Sequence, residues 1–187
     1  MGVDISGRSP INRGTKPTID WDTATLEEQE LHWEHLTAWK AENPGSYFRA
    51  NWWSWRPIVM LVDHVARQEG LDIDTASWSY NDGAGLESQE DCDALADALQ
   101  RLLDANDNLT KEDDRIYLVM GSWSNLNGQF VSESELENVD LPPMGSIMYS
   151  SFITADGTVL QSSHSTSKEH LQQFINFLRE CGGFQIF

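Results

Sequence analysis

Apolar residues recur at the spacing of an α-helix in four segments of the chain. In the first segment, Thr25 and Glu28 form a capping box, and the helix continues to Glu42, where Pro44-Gly45 ends it. The spacing also predicts that one side of this helix packs on a core. That inner stripe consists of Leu26, Trp33, Leu36 and Trp39 or Lys40.

Three more helices are predicted further along the chain. The second begins at Pro57, since proline favours the first helical position, and it ends at Gly70. The third follows the capping residue Ser88, and the last is capped by Thr166 and ended by Gly182. Their buried stripes are predicted to be Ile58, Leu61, Val62 and Val65, then Cys92, Leu95, Leu99 and Leu102, and finally Leu171, Phe174, Ile175 and Leu178.

Short runs of β-branched or alternating residues predict the strands. They lie at Val3 to Ile5, Tyr47 to Trp53, Ile116 to Met120, Ile147 to Ile153 in a hairpin with Thr158 to Gln161, and Phe184 to Phe187. Helices and strands follow one another in irregular order, without a repeat. We therefore predict an α+β fold in a single compact domain, 1–187, with about four helices packed on a small mixed or antiparallel sheet and with 1–20 as an N-terminal strand and arm.

The chain is strongly acidic. Its 187 residues include 30 Asp and Glu against 12 Lys and Arg, which gives a formal net charge of −18. Such a surface repels phosphate backbones, so direct binding of nucleic acid is not expected. Acids are densest between Glu87 and Asp114. This density predicts that the segment forms a surface that attracts a basic partner protein or mimics DNA. The alternative is an acidic helix face that serves solubility.

The sequence also bears on location and redox state. The first residues lack the composition of a signal peptide, and no apolar run is long enough to span a bilayer. We therefore expect a cytoplasmic protein without membrane contact. The two cysteines, Cys92 and Cys181, lack C-x-x-C spacing, so they are expected to be small buried thiols rather than a structural disulfide.

The densest candidate chemistry is a run of tryptophans and arginines that follows the first helix. Indole rings stack on planar ligands and guanidinium groups hold anions, so this run predicts a site for a nucleotide-like ligand. If the segment is extended, its side chains alternate between two faces, and the core cannot absorb every ring. The alternative is that the rings are core and the arginines pair with acids. The predicted site residues are Arg49, Asn51, Trp52, Trp53, Trp55 and Arg56.

A glycine-rich turn supplies a second group of candidate binding residues. Backbone amides in such a turn ahead of a helix bind anions, and Trp78 and Tyr80 would form walls of the same pocket. Asn81 and Asp82 belong to the turn itself. A plain turn is the alternative, because the Asp82 carboxylate competes with a ligand for these amides.

Catalytic and metal-binding patterns are weak by comparison. His32 and His35 are three residues apart on the first helix, with Glu28 one turn earlier, but the sequence shows no third ligand. Solvated histidines are expected, and no metal or cofactor is predicted. The chain also lacks a nucleophile elbow, a Walker loop and a dinucleotide-binding motif.

Three segments carry recognisable motifs. Tyr47 to Pro57 contains W-W-S-W-R-P, Asn81 to Leu86 reads N-D-G-A-G-L, and Phe177 to Phe184 ends in C-G-G-F. Together with the opening M-G-V-D, they resemble a family of uncharacterised small proteins encoded by bacteria and their phages. Ser54 interrupts that family's run of tryptophans. The resemblance implies a shared fold and a bacterial or phage cytosol, and it implies no catalytic residues.

Three functional interpretations stay open. The first is a non-enzymatic protein that sequesters a small nucleotide-like or planar anionic ligand, which in a phage would serve counter-defence. The second is an acidic interaction protein, or DNA mimic, that docks on a basic host protein. The third is an enzyme whose site is assembled in space and is not visible as a motif.

Overall fold

Helices and short antiparallel strands follow one another in the computed structural model, which describes residues 2–105, 115–118, 123–125, 127, 129, 131–137, 139, 147–148, 151–153, 157, 159–162 and 165–187. The helices are α1 (Leu26–Glu42), α2 (Trp52–Glu69), α3 (Gln89–Ala105), α4 (Glu133–Leu136) and α5 (Lys168–Leu178). The strands are β1 (Gly2–Gly7), β2 (Tyr47–Asn51), β3 (Arg115–Leu118), β4 (Trp123–Ser124), β5 (Ile147–Met148), β6 (Ser151–Ile153), β7 (Val159–Ser162), β8 (Ser165–Ser167) and β9 (Phe184–Ile186). The predicted α+β class is confirmed.

The first sheet brings together distant parts of the chain in the order β2, β1, β9, with antiparallel pairing throughout. Val3 and Ile5 alternate with more exposed residues and are buried, as expected for a strand with one face on the core. Ile5 pairs with Phe48 on one side and with Ile186 on the other. The predicted strands at both ends of the chain are therefore confirmed.

Two further three-stranded sheets have the orders β5, β3, β8 and β4, β7, β6. The predicted hairpin exists between β6 and β7, where Ile153 pairs with Val159. However, Ile147 pairs with Leu118 of β3, so the run predicted as one strand contributes to two sheets. Residues 119–120 of the predicted third strand and residues 149–150 lie outside the described part.

Helices α2, α3 and α5 form the main core together with the first sheet. The predicted stripes of these helices are confirmed, except that Leu102 is only partly buried. Each of the three helices presents one apolar side to the core and one polar side to solvent. Within the ranges given above, no helix is long and apolar enough to cross a membrane.

The predicted start of α2 at Pro57 is wrong, because the helix begins at Trp52. Asn51 is the capping residue, since its side-chain oxygen accepts a hydrogen bond from the backbone N–H of Ser54 at 2.9 Å. Pro57 is accommodated inside the helix, where it cannot bond to the carbonyl of Trp53. The extended segment therefore ends at Asn51, two residues earlier than predicted.

The predicted stripe on α1 is also wrong. The capping box of Thr25 and Glu28 and the end at Glu42 are confirmed, but no residue of α1 is buried. Leu26 is 79% exposed and Trp33 is 54% exposed. Helix α1 therefore lies on the outside of the molecule with large apolar side chains facing solvent.

The capping residue of α5 differs by one position from the prediction. Ser167 caps the helix, because its hydroxyl accepts from the backbone N–H of His170 at 3.0 Å. Thr166 is the last buried residue of the preceding strand β8, and its hydroxyl lies 3.4 Å from the Nδ1 of His170. The predicted end at Gly182 is wrong, because α5 ends at Leu178 with Arg179 as its cap, and Gly182 and Gly183 with positive φ form the turn that follows.

Candidate functional site

Two of the tryptophans predicted to line a ligand site belong to the core. Trp55 and Trp78 have relative exposures of 0% and 1%, and their rings are nearly parallel with centroids 6.3 Å apart. The indole N–H of Trp55 donates to the backbone carbonyl of Trp78 at 2.9 Å. Phe174 and Phe184 pack edge-on against this pair, so neither indole has a ring face open to a ligand.

Trp52 and Arg56 are neighbours on the surface because they stand one helical turn apart on α2. The Arg56 guanidinium lies 5.2 Å from the centre of the half-buried Trp52 ring. Asn51 is occupied as the helix cap, and the exposed Trp53 points away from the core at 62% exposure. We call these two residues, Trp52 and Arg56, the Trp52–Arg56 pair.

Arg56 differs from the other arginines whose side chains are described in the kind of partner it has. Each of the others has a carboxylate within ion-pair distance, and Arg49, for example, lies 3.6 Å from Asp4. The remaining pairs are Arg8 with Glu87, Arg13 with Glu180, Arg67 with Asp63, Arg101 with Glu69 and Arg179 with Asp97. Within that set, only Arg56 has a ring and no carboxylate as its partner.

Two backbone amides of the glycine-rich turn are hydrogen-bonded within the protein. The Asp82 carboxylate accepts the backbone N–H of Ala84 at 3.2 Å, and the N–H of Gly83 donates to the carbonyl of Ile186 at 2.9 Å. Asn81 and Tyr80 are exposed beside it, Tyr80 at 65%. Two amides that could have held an anion therefore already have partners.

The arm, residues 8–25, is held on the body before it reaches α1. Ser9 donates its backbone N–H to the carbonyl of Cys181 at 3.2 Å. Arg13 is bound at both backbone groups by the buried Asn43 side chain, which donates to the Arg13 carbonyl at 3.1 Å and accepts its N–H. The arm then folds back along α1, where Trp21 contacts the rings of His32 and Trp33 at 5.4 and 5.6 Å.

Exposed apolar side chains concentrate where the arm meets α1. Eight large apolar side chains in the described ranges are exposed, and four of them fall between positions 21 and 33. Scattered apolar residues are ordinary on protein surfaces, but a cluster marks an interaction site. The four residues are Trp21, Leu26, Leu31 and Trp33.

The same segment is rich in exposed carboxylates. Between positions 17 and 42 there are seven acids, all exposed, and the only Lys or Arg is Lys40, whose ammonium lies over the ring of Tyr47 at 5.1 Å. Hydrogen bonds from the Thr25 backbone and hydroxyl lower the pKa of Glu28, so it keeps its charge in mildly acidic solution. The seven acids are Asp20, Asp22, Glu27, Glu28, Glu30, Glu34 and Glu42. We call these acids and the four apolar residues the α1–arm face.

A groove of about 340 Å³ runs between the arm and α1 within this face. Apolar walls come from Ile19 and Leu31, and the carboxylate-bearing residues Asp20 and Glu28 border it. His32 and His35 also line the groove, but no three His, Cys, Asp or Glu side chains in the described residues are grouped to hold a metal ion. The groove therefore combines apolar walls with polar and acidic side chains.

The acidic segment from Glu87 to Asp114 is only partly described, since residues 106–114 lie outside the described ranges. On α3, Asp97 pairs with Arg179 at 2.9 Å, and Asp104 accepts from Gln100 at 2.9 Å. Asp93 likewise accepts from Gln89 at 2.7 Å. These carboxylates already have partners within the protein, and no large apolar side chain is exposed on α3.

Comparisons of the chain with protein-family models, with curated proteins and with solved structures find no match.

Proposed function

We propose that this chain is an acidic interaction protein that binds a basic partner protein through the α1–arm face. The observation that carries the proposal is the group of exposed Trp21, Leu26, Leu31 and Trp33, with Trp21 and Trp33 in ring contact at 5.6 Å, in a segment that also carries seven exposed acids. Interfaces combine an apolar and aromatic centre with a polar border, and exposed tryptophans are the residues that most often carry binding energy.

The charge of the face determines the chemistry of the partner. Seven acids stand against two lysines, Lys40 over the ring of Tyr47 and Lys16 over the ring of Trp39, so the face is negative. A second copy of the chain would bring the same negative face against itself, and like charges across an interface cost several kcal/mol. The partner we propose is therefore a segment that carries arginine or lysine beside large apolar side chains, such as a basic amphipathic helix.

The groove supports the same partner. Ile19 and Leu31 offer an apolar wall for one large side chain, while Asp20 and Glu28 offer carboxylates to a neighbouring guanidinium. Arginine fits such a site better than lysine, because its planar fork bonds two carboxylate oxygens and its stem packs on apolar surface. This surface differs from the Glu87 to Asp114 segment indicated by charge density alone.

Three synthetic helical peptides test the chemistry of the partner. The probe carries leucine on one face and arginine on the other, the second peptide has serine in place of leucine, and the third has glutamate in place of arginine. We expect the full-length protein to bind the probe, with affinity falling about tenfold or more between roughly 0.05 and 0.5 M salt. The other two peptides should bind at least about tenfold more weakly.

The serine peptide is the decisive comparison, because it has the same charge as the probe. If it binds as tightly as the probe, attraction to a protein of net charge −18 explains everything and the apolar cluster contributes nothing. That result would contradict the proposal. Equal binding of the glutamate peptide would contradict it as well, since the acids would then have no role.

A second candidate function concerns the Trp52–Arg56 pair. A guanidinium placed on an indole, without a carboxylate partner among the described residues, is available to an anion attached to a planar ring. Within the predicted nucleotide-like site, this pair places a guanidinium on an indole, whereas Trp55 and Trp78 are buried and Arg49 lies beside Asp4. The many acids elsewhere on the protein repel an anion, but salt screens their charges beyond about 10 Å, so the nearby Arg56 guanidinium has the larger effect.

A further inference from the structure

Two buried thiols lie side by side in the core. Cys92 is in the first part of α3 and Cys181 follows α5, and both are free cysteines with 0% exposure. Their Sγ atoms are 3.5 Å apart, and the Cys181 thiol is oriented to donate to the Cys92 sulfur. The two residues are 89 positions apart in the chain, yet the distance between their sulfurs exceeds the ~2.05 Å length of a disulfide bond by only about 1.5 Å.

The two sulfurs are chemically different. The hydrogen bond from Cys181 lowers the pKa of Cys92, burial opposes this change, and the backbone N–H of Gly183 adds to it. The neighbouring carboxylates of Asp91 and Asp93 act in the opposite direction and raise the pKa of Cys92, but the net change is a lowering. The hydrogen bond to Cys92 and burial both raise the pKa of Cys181, whose sulfur also lies 3.4 Å from the carbonyl of Leu178.

We infer that Cys92 and Cys181 are an oxidation site, at which a peroxide converts the two thiols reversibly into an intramolecular disulfide. The Cys92 thiolate attacks one peroxide oxygen, the O–O bond breaks, and a sulfenic acid forms while the other oxygen leaves as alcohol or water. Cys181 then attacks the Cys92 sulfur and expels the hydroxyl, which leaves as water with the Cys181 proton. Two thiols lose two hydrogens and two electrons, and the peroxide is reduced.

Access to the pair is controlled by the arm. The backbone N–H groups of Arg8 and Ser9 donate to the carbonyls of Gly183 and Cys181 at 2.8 and 3.2 Å, so the arm covers this turn. The approach is close, because a Cβ added to Gly182 would collide with the backbone carbonyl of Ser9 in the arm. Arg13 fastens the arm further along through Glu180 at 2.5 and 2.7 Å. A small oxidant reaches the sulfurs when this cover opens locally.

The disulfide would join the start of α3 to the turn after α5. These elements are already connected by Gln89, whose side chain accepts from the N–H of Gly182 at 2.6 Å and donates to the carbonyl of Leu178 at 2.9 Å. The bond therefore fixes an existing contact and requires little rearrangement. A disulfide that closes a loop of 89 residues restricts the unfolded chain, and it should raise Tm by roughly 5–15 °C when the bond is little strained.

The test treats the reduced full-length protein with hydrogen peroxide and follows its intact mass without reductant. We expect the mass of two hydrogens to be lost, a digest to yield the two cysteine peptides linked to each other, and dithiothreitol to restore the original mass and Tm. No variant is needed for this readout. The inference is overturned if both thiols stay reactive after denaturation, if the sulfurs gain oxygen without a cross-link, or if the cross-link joins two chains.

Two variants test the arrangement further. Cys181→Ser should leave the Cys92 sulfenic acid unresolved, so that dimedone labels it, whereas Cys92→Ser should give no labelled product. Arg13→Ala should accelerate oxidation at least about threefold by loosening the arm without changing the product. Arg67→Ala, which breaks an ion pair within α2, is the matched control and should leave the rate unchanged. An equal rate in all three proteins would contradict the role given to the arm.

Discussion

Trp55 donates its indole N–H to the backbone carbonyl of Trp78, and the two rings lie 12° from parallel in the middle of the core. The hydrogen bond joins helix α2 to the loop that precedes α3. It satisfies a carbonyl that would otherwise be buried without a hydrogen-bond partner. The two tryptophans therefore belong to the core, which from the sequence alone was the alternative to a place in the ligand site.

Replacing Trp55 with phenylalanine should destabilise the protein strongly. The variant leaves the Trp78 carbonyl unpaired and opens a cavity, so we expect a loss of about 2–4 kcal/mol in the free energy of unfolding. Urea denaturation followed by circular dichroism measures it. Trp53→Phe removes the same atoms at an exposed position and should stay within about 0.5 kcal/mol of the original protein. Similar losses in both variants would refute this assignment.

The last strand provides a matched pair of positions for a test of the core. Ile186 is fully buried in β9, while the next residue, Phe187, is 52% exposed. Ile186→Ala should cost about 2–5 kcal/mol, and Phe187→Ala should cost less than about 1 kcal/mol although it removes the larger side chain. Removing residues 184–187 should prevent stable folding, because β9 pairs directly with β1. A Tm unchanged by that deletion would contradict the described sheet.

Stability at alkaline pH should depend on Tyr47. Burial, and then a hydrogen bond to the carboxylate of Asp4, raises the pKa of Tyr47 to about 12 from its ordinary value of 10.0. Since the folded pKa is the higher one, the stabilisation is fully present below pH 10 and is lost as the pH rises towards 12.

Tyr47→Phe should therefore flatten the alkaline limb of the stability profile, and Asp4→Asn should shift the phenol's pKa back towards its ordinary value. The near-ultraviolet absorbance of tyrosinate reports the titration, and urea denaturation across the same pH range reports the stability. Tyr80→Phe, at an exposed position, is the control. An alkaline limb that is the same with and without Tyr47 would show that another group is responsible.

The Trp52–Arg56 pair gives a prediction that is independent of the α1–arm face. If it binds planar anions, a panel of nucleotides and cyclic nucleotides should quench tryptophan fluorescence, and Arg56→Ala should weaken binding at least about tenfold. Arg67→Ala removes a guanidinium that already pairs with Asp63 and should have no effect. Absence of quenching at millimolar nucleotide, or equal effects of the two variants, would eliminate this second candidate.

Local sequence rules correctly predicted many boundaries because they depend on neighbouring residues. The capping box of Thr25 and Glu28 and the left-handed Gly70 at the end of α2 are confirmed. The alternation of Phe184 and Ile186 also predicted the buried face of β9. In each case the physical cause, a hydrogen bond or a backbone conformation, acts within a few residues.

Features that depend on distant contacts could not be predicted in this way. Periodicity shows which residues of α1 share a side, but it does not show whether anything packs on that side, and Leu26 and Trp33 were assigned to the core for this reason. The acids on every side of α1 were a neglected indication, because a core-facing helix has one continuous apolar stripe. At Asn51, the preference of proline for the first helical turn was given more weight than a strong capping residue.

The candidate site shows the same division. Charge and exposed tryptophans were predicted to matter, but which tryptophans are exposed depends on tertiary packing. Trp55 and Trp78 are in the core, whereas Trp21 and Trp33, which were not proposed as binding residues, are on the surface. The sequence feature that could have identified them is their position among seven acids in a single segment.

The most direct measurement compares two exposed tryptophans as binding residues for the arginine-leucine peptide. Trp33 belongs to the α1–arm face at 54% exposure, and Trp53 lies outside it at 62%. By titration calorimetry at low salt, with circular dichroism to verify folding, Trp33→Ser should weaken binding at least about tenfold and Trp53→Ser less than about twofold. Equal affinities for the two variants, or a larger loss in Trp53→Ser, would contradict the assignment of this face as the docking site.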